Sequence, residues 1–221
     1  FDRGGDVSKV DPKKLDNLHY LVAAMKKQGI YTKISFYFPL WFDIKTGYGI
    51  PGYDTIANKQ PFALLYFDKR MQEIHRSWAR GLLTTKNPYT GVPLAKEPAV
   101  AIVEIINEDN YFFWTFGKKN IPQVHWRRLE ELYNKWRAAE KIAGKGVLGE
   151  AWRMTGGGIK QQNAQQRRET ARQVRFLTLH QRKFYQDTAR YLKDNLGCRG
   201  LVSCSNWHTA DANILDALER Y

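Results

Sequence analysis

Cysteine is scarce in this chain: among 221 residues there are two, Cys198 and Cys204. They flank a segment that reads as a turn running into a strand. An extended strand would hold them too far apart to bridge, so both are expected as free thiols, and they fix no redox compartment. There is no signal peptide and no run of about 18 apolar residues, so no membrane-spanning helix is expected. No G-x-G-x-x-G or G-x-x-x-x-G-K-[ST] follows a strand, which argues against nucleotide binding. The triple glycine at 156–158 follows no strand either. His19, His75, His125, His180 and His208 lack metal-ligand spacing such as H-E-x-x-H, so no metal and no other cofactor is expected. Ser203, Ser205, His208 and Asp211 lie near one another, but catalytic triads are assembled from distant segments and no G-x-S-x-G elbow is present. The chain begins in mid-pattern, FDRGGD, without an initiator methionine, and reads as a piece of a longer protein.

What is abundant is positive charge and aromatic surface. The formal net charge is +13 and the sequence pI is near 9.7. Two readings of that excess stay open. The densest clusters, WRRLEELYNKWR and QQRRETARQVR, carry interleaved Glu and read as solvated helix faces; a polyanion-binding surface is the other reading. Aromatics make up 14% of the residues, with seven Trp, enough for some rings to serve a surface or a cleft.

Along the chain, Asp11-Pro12 reads as an N-cap with Pro at the first helical position. Leu15, Leu18, Val22 and Met25 follow at helical spacing and Gly29 closes the helix. IYTKISFYF predicts a strand over 30–38. Residues 39–61 form a long loop after it. Asp68 can cap a second helix with Met71, Ile74 and Trp78 on one face, and NPYTGVP is turn chemistry. AVAIVEII at 99–106 is a nearly continuous apolar run, as expected of a strand covered on both faces. Pro122 opens a third helix, striped by Trp126, Leu129, Tyr133 and Trp136. A flexible Gly- and Gln-rich excursion is expected over about 155–168, then a long helix to about 195 and a short strand in RGLVSCSNW. Helices and strands alternate and the loops after strands are long. This pattern predicts an α/β fold with a parallel sheet in one domain, 1–221, and the asymmetry is that of a partial TIM (β/α)8 barrel with its site at the C-terminal ends of the strands. A doubly wound sheet would place a ligand at the same ends.

The apolar run ends in chemistry: AIVEIINEDNYFFWTF. Strand alternation predicts Glu104, Ile106 and Glu108 on one face. Glu104 lies deep in the sheet and must be paired, so it reads as structural, with its partner on a neighbouring strand or outside the chain. Glu108 lies at the mouth. An apolar floor with aromatic rings would raise its pKa by desolvation, suiting a general acid. A strand-end Glu can equally be a cap or a salt-bridge partner. Asn107 can donate to and accept from a hydroxylated ligand.

EIINE, as E-x-x-N-E ending a strand, resembles the Asn-Glu signature on the fourth strand of clan A glycoside hydrolases, especially the cellulase-like family 5. Its surroundings agree in order. LDNLHYLVAAMKKQGIYTKISFY resembles the second helix and third strand of those barrels, and FDKRMQEIHRSWARGLLT the third helix. FYQDTARYLKDNLGCRGLVSCSNW resembles the unit ending at the fifth strand. The resemblance implies a retaining glycosidase acting on β-linked polysaccharide or oligosaccharide, without cofactor and with a secreted or periplasmic location. It makes Glu108 the acid/base and places Asn107 against the sugar 2-hydroxyl. It also requires a nucleophilic carboxylate about 5–5.5 Å from the acid/base, which in the clan ends the seventh strand. This chain stops after the fifth, and Glu130, Glu131, Glu150 and Glu219 end no apolar strand, so the fragment alone is expected to be inactive. The family commonly ends its third strand in histidines; here Tyr37, Phe38 and Pro39 stand instead.

Aromatic rings beyond strand ends offer faces to pyranose C–H groups, or else pack as core. The candidates are Trp41, Trp114 and Trp207, with Tyr37 and Phe113 behind them. Asn206 and His208 are candidate hydrogen-bonding residues for a substrate, with a turn or surface role open for His208. The expected partner is a carbohydrate, with no nucleic acid and no membrane; no oligomeric state follows. The rival reading is a non-catalytic carbohydrate- or polyanion-binding module using the same rings and the positive charge.

Overall fold

Asp11 starts the first helix as its residue type suggests. Its carboxylate accepts from the backbone N–H groups of Lys13 and Lys14 at 2.9 and 3.1 Å, two donors that no helical carbonyl can reach. In the computed structural model, which describes residues 6–7, 9–150 and 161–206, this helix α1 spans Pro12–Lys27 and buries Leu15, His19, Val22 and Ala23. It ends in a Schellman arrangement. Gly29 takes a left-handed φ of 71°, and the Gly29 and Ile30 N–H groups return to the Lys26 and Met25 carbonyls.

The expected strand over 30–38 is shorter. β1 is Thr32–Ser35, a parallel neighbour of β2, Val100–Glu104, which in turn pairs in parallel with β3, Leu201–Ser203. The order is β1-β2-β3. β2 is central and its sequence is apolar: Val100 and Val103 are buried, Ala101 and Ile102 half-buried, and Ile105 and Ile106 just beyond it are fully buried. Gly200 lets β3 approach it. A Cβ there would stand 2.7 Å from the Val100 carbonyl oxygen and 3.1 Å from that of Ala101. Helix α2, Lys69–Thr84, lies between β1 and β2 in the chain; α3, Gln123–Ala139, and α4, Ala164–Arg190, lie between β2 and β3. The fold is therefore α/β with parallel strands.

α4 starts earlier than its Gln-rich sequence suggested. Asn163 and Gln166 form a reciprocal capping box, each side-chain oxygen accepting the other's backbone N–H at 2.9 Å, and Ala, Gln and Arg then propagate helix well. Residues 151–160, which include the first part of the expected excursion, lie outside the described residues. Both cysteines are free. Among the described residues no helix is long and apolar enough to cross a membrane, and no cluster of side chains could hold a metal ion.

The chain groups into two compact units. The first holds the sheet, α1, α2 and residues 69–108. The second holds 44–68 and 109–150 with α3. α4 contributes to both, its residues up to Phe184 belonging to the second unit. In that second unit Tyr133 and Trp136 of α3 meet Phe176 of α4 at ring-centroid distances of 5.2 and 5.8 Å. The buried Arg137 is tied to Tyr133 and Glu169.

Candidate functional site at the end of the central strand

Glu104 is the last residue of β2 and is buried; Lys33 of β1 reaches it, Nζ to Oε1, at 2.8 Å. Its partner is thus on the neighbouring strand, one of the two places expected. Past Glu104 the backbone still hydrogen-bonds to both sides. The Ile105 and Ile106 N–H groups donate to Ser203 and Cys204 carbonyls, both at 3.0 Å, and the Asn107 N–H donates to the Tyr37 carbonyl at 2.7 Å. The strand end is therefore clamped between the segments that leave β1 and β3.

Alternation does not carry through to Glu108. Ile105 and Ile106 are both fully buried, and Glu108 has φ +52°, a left-handed conformation rare for a residue with a Cβ. The chain turns there, so the expectation that Glu104, Ile106 and Glu108 share a face fails. Glu108 is half-buried. Asn206, three residues beyond β3, joins the turn. Its Nδ2 donates to Asn107 Oδ1 at 2.6 Å, and its Oδ1 accepts the Glu108 N–H at 3.3 Å. Asn107, Glu108 and Asn206 are thus brought together. Trp207 and His208 lie outside the described residues.

In the first unit Tyr37 is 3% exposed, set edge-on against Phe42 and His75. It offers no open ring face, so as a sugar platform it is corrected to core. His75 is buried beneath the strand end. Burial pushes its imidazole down to about 4, against the opposing effect of a hydrogen bond with the Ile105 backbone. Trp41, in a short turn at Pro39–Trp41, is 51% exposed.

The aromatic segment after Glu108 belongs to the second unit. Tyr111, Phe112 and Phe116 are buried: Tyr111 packs on Tyr66 and Phe116, and Phe116 stacks on Trp126. Phe113 is buried too, edge-on to Trp114, and is likewise corrected from platform to support. Trp114 is 56% exposed, with Phe62 also in ring contact. Of the ring candidates placed by the structure, Trp41 and Trp114 keep accessible faces.

Asp109, which the sequence reading passed over, is the carboxyl that loses its solvent. It is fully buried; Oδ2 accepts the Ala63 N–H at 2.9 Å, and Oδ1 has no hydrogen-bond partner among the described residues. Burial pushes the acid up to about 8, with the Ala63 bond pulling the other way. Its carbonyl accepts the Tyr66 hydroxyl at 2.5 Å. A sequence signal existed in the run NEDN, but it does not say which carboxylate turns inward.

No protein-family model and no curated protein matches this sequence. Among solved structures, a similarity is found to an endo-beta-1,4-mannanase from Thermotoga petrophila. Identity is 16% and the TM-score 0.37, over 85% of this chain and 44% of the mannanase chain. The chain thus spans less than half the length of that structure.

Proposed function

We propose that this chain is part of a retaining glycoside hydrolase of the cellulase-like type, one domain of a (β/α)8 barrel acting on β-linked polysaccharide or oligosaccharide. Glu108 serves as acid/base and Asn107 holds a sugar hydroxyl beside it. The observation that carries this reading is the clamped turn: an Asn-Glu pair directly beyond the C-terminal end of the central strand of a parallel sheet, tied to the ends of both neighbouring strands. Parallel α/β sheets bind ligands at that end. A left-handed glutamate there stores local strain of the kind found at functional sites. In this role Glu108 protonates the glycosidic oxygen, and after the leaving group departs it takes a proton from the attacking water. The nucleophile is assigned to no residue of this chain; Glu104, on the same strand, is committed to Lys33. Trp41 and Trp114, each exposed within its own unit, are each a candidate sugar platform.

The test uses the natural full-length protein. Glu108→Gln should lower hydrolysis of unactivated β-1,4-linked oligosaccharides by roughly 100-fold or more, the range for losing a general acid, while affinity for them is kept. Trp41→Ala and Trp114→Ala should weaken binding instead. If Glu108→Gln hydrolyses as fast as wild type, the acid/base assignment is wrong. Salt-sensitive binding of acidic polymers without any hydrolysis would favour the rival binding module.

A further inference from the structure

We propose that Asn206 is a positioning residue. Its amide fixes which end of the Asn107 side chain faces a bound sugar and holds the turn at Glu108. This rests on the glycoside-hydrolase reading of the same site.

The polarity of the relay follows from its one unambiguous member. The Glu108 backbone N–H can only donate, so the Asn206 atom facing it at 3.3 Å is Oδ1. The other end of that amide, Nδ2, then faces Asn107 at 2.6 Å, and the Asn107 atom receiving it must be the acceptor Oδ1. Asn107 Nδ2 is left over, with no hydrogen-bond partner among the described residues. Its backbone is separately fixed by the N–H bond to the Tyr37 carbonyl at 2.7 Å. Asn107 therefore meets a ligand as a donor, and the sugar hydroxyl there must accept. The same amide caps the N–H of a non-glycine residue at φ +52°, offsetting part of the cost of that conformation. Each end of the Asn206 amide is engaged within the site, so its effect on a bound sugar runs through Asn107 and Glu108.

Asn206→Asp tests the polarity. A carboxylate has no donor, so it accepts the Glu108 N–H and forces the Asn107 amide to turn over, Nδ2 inward and Oδ1 toward the ligand. Binding is measured by titration calorimetry with cellotriose and mannotriose and with their analogues fluorinated at every C2, all in a Glu108→Gln background to prevent turnover. A hydroxyl can donate or accept, whereas fluorine cannot donate. Asn206→Asp should therefore keep the parent trioses within a few-fold but lose the fluorinated ones by about tenfold or more, the size of one hydrogen bond replaced by a repulsive contact. In the variant, the Asn107 side-chain amide signals should move downfield in 15N–1H spectra. A merely structural role would weaken all four ligands alike. Equal losses, or none, with wild type binding normally, would overturn this inference and leave the glycosidase reading intact. If wild type binds none of the four, both fall.

Discussion

Replacing Asp109 by Asn should stabilise the protein, by an amount that grows with pH. The wild-type carboxyl is fully buried, accepts one N–H from Ala63 and leaves Oδ1 without a partner. Asn keeps the shape: its Oδ1 takes the Ala63 N–H and its Nδ2 replaces the hydroxyl of the neutral acid. The acid is held up at about 8 in the folded state against 3.8 for an unperturbed group. Between those values the folded chain keeps a proton that the unfolded chain has released, so stability falls as pH rises. Each pH unit is worth about 1.4 kcal/mol. Wild type should therefore lose about 2.7 kcal/mol relative to the variant between pH 5 and 7, and trail it by roughly 4 kcal/mol at pH 7. Urea unfolding of both proteins at pH 5, 6, 7 and 8 measures this directly. His75 and His180 are both lowered by burial to about 4, and their contribution runs the other way, rising with pH. Subtracting the two curves removes it, since those groups are common to both proteins. A pH-independent difference, or a variant whose advantage shrinks from pH 5 to pH 7, would refute the reasoning.

Two further outcomes follow from the sheet. Lys33→Met strands the buried Glu104 carboxylate and should cost about 2–3 kcal/mol, a value reduced because Lys33 is itself nearly half exposed. Adding Glu104→Gln should recover much of it, and a single variant as stable as wild type in urea would show that the pair is not what holds Glu104. Gly200→Ala drives a methyl to within 2.7 Å of the Val100 carbonyl oxygen. Strand backbone cannot give way cheaply, so a loss of about 2–3 kcal/mol is expected in thermal unfolding; an unchanged melting temperature would mean that β3 does not pack this closely on β2.

The elements legible in the sequence are those with local causes. Asp11-Pro12 and Gly29 bound α1 because capping is decided within a few residues. AVAIVEII announced a largely covered strand because apolar residues run through it: Val100 and Val103 are buried, while Ala101 and Ile102 are half-buried. The start of α4 was also local, in the Asn163–Gln166 box; a polar, Gln-rich composition masked it. β1 was overextended because Phe36 and Tyr37 have strand-forming side chains. The regular ladder ends at Ser35, although the Tyr37 carbonyl still accepts the Asn107 N–H and both rings are buried, and burial of an aromatic looks the same in sequence whether its backbone is in a regular ladder or just beyond one.

The site was legible as a pair and illegible as a geometry. Asn107 and Glu108 stand out because amide and carboxylate follow an apolar run. Which way each points depends on bonds to residues about 70 and 100 positions away in the chain, Tyr37 and Asn206. The turn at Glu108 is the consequential one. Had the strand continued, alternation would have put Glu108 on the face of Glu104 and Ile106, and Asp109 on the opposite one. With φ at +52° the alternation ends. Glu108 remains half-buried, and the next residue enters the interior of the second unit, where the bond from Ala63 and the rings of Tyr66 and Tyr111 surround the segment. Two adjacent carboxylates thus have different surroundings, Glu108 half-buried and Asp109 fully buried. Full burial falls on Asp109, where desolvation lowers stability at neutral pH. The Asp109→Asn variant should therefore be more stable with the Asn107–Glu108–Asn206 relay intact, which separates the cost of the buried acid from whatever strain the turn itself imposes.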